Sequence, residues 1–132
     1  MKSSQLNTND NPPAISASSP HDNPCCCGDP NAAALNVCAD DGISFLLPYA
    51  QFLYAARISN PALEKEPDAP PEKIRIHFAS AEVTVLGSGL KFVESKLQKC
   101  ELKFVKAADR RLAATLNTHI AAVTLTLTKE NV

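Results

Sequence analysis

The sequence predicts an α+β fold: a small, mostly antiparallel sheet with one or two covering helices, preceded by a disordered N-terminal tail. Three observations carry this. Residues 74–85 alternate apolar and polar on both sides of a short link, the mark of a hairpin. A segment of helical period follows directly, with Leu90, Val93 and Leu97 on one face. Near the C-terminus Ala121, Val123, Leu125 and Leu127 alternate with Ala122, Thr124, Thr126 and Thr128, the longest strand signal in the chain.

Residues 1–30 are expected to be a tail rich in Ser, Asn, Pro and Cys. Little in the first 24 residues can be buried to offset the entropy of ordering them. Pro24 and Pro30 bracket the string Cys25-Cys26-Cys27-Gly28-Asp29, which reads as a turn-rich linker. Residues 31–132 then form a single domain. Residues 31–39 are Ala-rich and fit either a short helix or an extended lead-in, and Asp40-Asp41-Gly42 marks a turn. Residues 43–47 read as a strand that Pro48 interrupts, because proline donates no ladder hydrogen bond.

Residues 49–58 satisfy both periods. Tyr49, Phe52, Leu53 and Ala56 fit a helix, and Phe52, Tyr54, Ala56 and Ile58 fit a strand. The strand reading is preferred, since a hairpin of 43–47 with 52–58 gives the later sheet its neighbours. Residues 60–71 form a polar, proline-rich loop. The central hairpin spans 74–78 and 83–86, with Ala79-Ser80-Ala81-Glu82 as its link. Gly87-Ser88-Gly89 breaks the pattern, and Ser88 is placed to cap a helix over 89–99. A helix over that hairpin covers its apolar side. A short strand over 102–105 and a short helix over 107–116 precede the last strand.

Composition bounds the function. The chain has 132 residues, enough for one domain, and five Phe, two Tyr and no Trp make its core small and aliphatic. No apolar run is long enough to span a membrane and the first twenty residues hold no apolar signal core, so no membrane partner and a cytoplasmic location are expected. Charge is uneven: residues 1–71 hold three basic and eight acidic side chains, residues 72–132 ten basic and six acidic. An excess of four positive charges is ordinary for a solvated surface. It falls short of the dense basic clusters with interleaved aromatics that nucleic-acid binding calls for.

Catalytic constellations are missing from the sequence pattern. Gly87-Ser88-Gly89 is not completed into a phosphate loop, and neither G-x-S-x-G nor H-E-x-x-H occurs. His77 and His119 could meet across a sheet, yet proton transfer would also need a partner and a cleft. Tyr49, Tyr54 and Arg57 could line a ligand face, although rim positions account for them as well. The candidate metal ligands are Cys25, Cys26, Cys27 and His21, because thiolate and imidazole suit zinc or copper. Three adjacent cysteines do not match the usual spacing of two to four residues, so Cys38 or Cys100 would have to complete the set. No cofactor is named by the sequence.

Three readings follow, in order. The first is a non-catalytic domain binding a protein partner or itself, with the unprotected strand at 121–128 as the adhesive element. The second is a metal or thiol protein centred on Cys25–Cys27. The third is nucleic-acid binding through Lys91, Lys96, Lys99, Lys103, Lys106, Arg110 and Arg111.

Overall fold

The structure is a computed structural model in which residues 23–128 are described. Of the tail expected over residues 1–30, residues 1–22, His21 among them, lie outside the described residues. The described part is α+β, with one α-helix and two four-stranded sheets. The strands are β1 (Cys26–Gly28), β2 (Ala34–Cys38), β3 (Ser44–Pro48), β4 (Phe52–Ser59), β5 (Glu72–Phe78), β6 (Ala81–Ser88), β7 (Leu102–Lys106) and β8 (His119–Leu127). The helix, α1, is Lys91–Gln98.

The first sheet has the order β1-β7-β2-β3 and the second β4-β5-β6-β8. Every pairing is antiparallel except β2 with β7. Alternation explains the second sheet: Ile74, Ile76, Phe78, Val83 and Val85 face inward and are buried, while Arg75, His77 and Thr84 face out. The first sheet adds Leu35, Val37, Leu47 and Val105, and α1 adds Val93 and Leu97, to one shared core.

Several sequence expectations are corrected. The hairpin of 43–47 with 52–58 does not form, because β3 pairs with β2 and β4 pairs with β5. Pro48 ends the ladder, and a 3-10 turn over Tyr49–Gln51 carries the chain from the first sheet to the second. Tyr49 pins that corner: its hydroxyl donates to the Leu102 carbonyl at 2.6 Å, and its ring packs edge-on to Phe52 with centroids 6.1 Å apart. Residues 52–59 are a strand, as preferred. The link between β5 and β6 is tighter than expected, only Ala79-Ser80.

The helix carries its apolar stripe as predicted, but Ser88 does not cap it. Ser88 is the last residue of β6, and the Leu90 amide donates instead to the Glu72 carboxylate at 2.9 Å. Gly87 belongs to the strand, where a side chain would run into the backbone carbonyl of His119. Gly89 turns the chain with φ 64°, a region glycine reaches without penalty. The helix expected over 107–116 is reduced to a 3-10 turn at Arg110–Leu112, where the Asp109 carboxylate accepts from the Arg111 amide at 2.9 Å. Leu112 finds no apolar surface there and stays exposed.

The boundary at residue 30 also moves. Cys25 and Cys26 are buried in the core, and β1 pairs with β7. Asn23 anchors this segment: its side-chain amide donates to the Thr118 carbonyl at 3.0 Å, and its carbonyl oxygen accepts from the Cys25 amide at 2.7 Å.

Candidate interaction surface

The second sheet ends in two edges, β4 and β8, and they are finished differently. For β4, the Asn60 amide donates to the Pro71 carbonyl directly opposite it at 3.0 Å. Backbone groups of an antiparallel strand alternate in direction, so the groups of Tyr54, Ala56 and Ile58 point to β5. Those of Ala55, Arg57 and Ser59 point away from the sheet, and no described residue pairs with them. A bulge between Phe52 and Tyr54 sets this phase.

Three large apolar side chains crowd the same edge: Leu53 is 61% exposed, Tyr54 55% and Ile58 44%. Tyr54 lies on the outer face, stacked on the His77 ring with centroids 4.2 Å apart. His77 in turn approaches Glu82 at 3.8 Å, and Glu82 binds Arg75 at 2.9 Å. On the inner face Arg57 reaches Glu94 of α1 at 2.9 Å and Glu72 at 3.9 Å, which ties helix to edge. Tyr49, Tyr54 and Arg57 therefore share no ligand face. The single charge on β4 is already neutralised.

The β8 edge is partly closed. The Asp40 amide donates to the Val123 carbonyl at 2.9 Å, and both Asp40 carboxylate oxygens accept from the Val123 amide at 3.1 Å. The Ala108 amide takes the Ile120 carbonyl at 3.0 Å, and the Ile120 amide points at the Cys25 sulfur at 3.3 Å. These contacts occupy the first half of the strand, so the edge read from sequence as unprotected is protected there from a distant turn.

The cysteines are spread by strand geometry. In β1 successive side chains face opposite ways, which buries Cys26 and leaves Cys27 half-buried. Burial pushes the Cys26 thiol up to about 12, with the neighbouring Cys25 and Cys27 adding to it, and burial raises Cys25 as well. A thiol held in its protonated form is a small apolar side chain and a poor nucleophile or ligand. All five cysteines are free. Among the described residues no three His, Cys, Asp or Glu side chains converge as a metal site would require.

His77 and His119 do not meet. They stand at the registers of Glu82 and Ser88 on β6, six residues or about 20 Å apart. His119 is buried, and its Nε2 lies 3.1 Å from the carbonyls of both Ala108 and Asp109, so this nitrogen carries the proton and is committed to backbone. Beside it opens a groove of about 870 Å³ with a floor of Gly87, Ala121 and Ala122 and a wall from the proline-rich loop. Of the basic residues, Lys91 and Lys96 ride α1, Lys103 and Lys106 lie on β7, and Arg110 and Arg111 form the turn after it. Lys96 lies over the Phe92 ring and Arg111 is paired with Asp109. No described helix is long and apolar enough to cross a membrane.

Comparison with known proteins finds no family model, no curated protein and no solved structure that matches the chain. The β4 edge was the surface that sequence reasoning passed over. Its one local signal was the strand-spaced pair Tyr54 and Ile58, which the competing helical spacing masked.

Proposed function

We propose that this chain is a non-catalytic protein-binding domain that takes an extended protein segment along β4 by strand addition. One observation carries the reading: β4 offers outward-facing backbone groups at Ala55, Arg57 and Ser59 beside exposed Leu53, Tyr54 and Ile58. Backbone hydrogen bonds supply affinity in this mode, and alternate side chains supply selectivity. Natural sheet edges are normally blunted by charge, proline or a covering segment. β8 has such a cover in Asp40, whereas β4 presents apolar side chains.

Two variants test it. Ala55→Pro removes one outward amide donor and leaves the β4–β5 bonds in place, because the Ala55 amide faces away from β5. Ile58→Lys charges the edge and keeps every backbone bond. Immobilised wild type is expected to retain proteins, further copies of itself included, that both variants lose while melting as the wild type does. Retention unchanged in both variants refutes the reading.

A further inference from the structure

An edge that accepts a strand also selects which strand fits it, through the phase of its backbone groups and the side chains beside them. Resting on the strand-addition reading of β4, we infer that β4 pairs antiparallel with β4 of a second copy. The two-fold axis lies at Ala56 and joins two second sheets into one of eight strands.

The phase of the backbone restricts the registers. Outward groups belong to Ala55, Arg57 and Ser59, so an antiparallel partner must set these residues opposite one another. A symmetric pairing that does so places its axis at a residue, never between two. With the axis at Arg57, Ile58 would face Ala56 and Tyr54 would face Asn60, so the exposed apolar side chains of the edge would not cover each other. With the axis at Ile58 the overlap shrinks towards the end of the strand, and with the axis at Ala55 the pairing runs into the bulge at Leu53.

The axis at Ala56 keeps the bulge at the margin of the pairing and sets the exposed apolar side chains against each other. Ala55 of each copy faces Arg57 of the other, and the two exchange their free amides and carbonyls. Leu53, at the bulge, lies opposite Ser59 and ends the paired stretch. On the outer face Tyr54 of one copy covers Ile58 of the other on each side of the axis, an aromatic against a β-branched side chain. The two Ala56 methyl groups meet at the centre. Tyr54 and Ile58, 55% and 44% exposed in the single chain, thereby cover each other. Arg57 enters the pairing with its charge already balanced by Glu94 and Glu72. Such an interface is isologous and closed, because each copy spends its open edge on the other.

The test is chosen at the axis. Opposed residues of a non-hydrogen-bonded antiparallel pair bring their Cα atoms to about 4.5 Å, within disulfide range. Ala56→Cys treated with diamide is expected to give a covalent dimer whose link joins position 56 of both copies, mapped by mass spectrometry. Ile58→Cys is expected to give no 58-to-58 link, because those positions lie four residues apart along the paired strands. On the wild type, sedimentation between about 1 and 500 μM should show a monomer–dimer equilibrium that Ile58→Lys abolishes. Hydrogen exchange at the Ala55 and Arg57 amides should slow as concentration rises, a readout that needs no variant. A wild type monomeric throughout that range, or a dimer whose exchange protection and cross-links lie elsewhere, overturns the inference. If the wild type is monomeric yet retains other proteins through β4, the inference fails and the strand-addition reading stands. If nothing is retained and no dimer forms, both fail.

Discussion

Asp40→Ala tests how the two sheets are held together. Asp40 sits in the turn after β2, yet its carboxylate is bound to the Val123 amide in β8, 83 residues away. The two contacts of 3.1 Å share one donor, so they count as one charge-assisted hydrogen bond. Such bonds contribute about 1.5–3 kcal/mol, and the exposure of Asp40 places this one near the lower limit, about 1.5 kcal/mol. The backbone bond from the Asp40 amide to the Val123 carbonyl survives the substitution. With a urea slope of about 2 kcal/mol per molar, the unfolding midpoint should fall by roughly 0.7 M at an unchanged slope. Asp40→Asn keeps a neutral acceptor and should lose about half as much. Native-state hydrogen exchange gives the local view, since the Val123 amide should lose protection more than its neighbours in β8. A midpoint within experimental error of wild type, together with unchanged exchange at Val123, would show that the contact holds nothing.

Two further outcomes follow from burial. Leu97→Ala should cost about 2–5 kcal/mol, because Leu97 is 1% exposed in the shared core. Gln98→Ala on the exposed side of α1 should stay within about 0.5 kcal/mol, and chemical denaturation of both separates a true apolar stripe from a chance spacing. Alkaline titration of stability tests the buried thiol. The folded Cys26 keeps its proton up to about 12 while the unfolded chain releases it near 9.0. Between those values the folded state binds more protons, so stability is full below the lower value and falls as pH rises towards the upper one. The slope is about 1.4 kcal/mol per pH unit for each such group. Tyr49, also raised by burial and by the neighbouring Cys100, steepens the upper part of the window. Cys26→Ala should flatten the slope, and a stability independent of pH across that range would show that the thiol titrates as if exposed.

The sequence by itself determined the elements whose signals are local. The alternation of Ile74, Ile76 and Phe78, of Val83 and Val85, and of the β8 residues follows from a side-chain period that each strand carries within itself. The same holds for Val93 and Leu97, which α1 buries as their spacing predicts, and for Leu90, buried at its N-cap. Only the tertiary structure decided which strands share a sheet, because pairing is a choice among distant partners. β3 and β4 are adjacent in sequence yet lie in different sheets, separated by the corner at Pro48 and Tyr49. Cys25-Cys26-Cys27 reads locally as a linker between prolines, and its place in the core is supplied by β7 and by Ile120, 95 residues on. The edges of the second sheet were hidden for the same reason. A strand's sequence does not say which of its sides lacks a neighbour, so the cover on β8 and the open side of β4 appear only once Asp40 and β5 have taken their places.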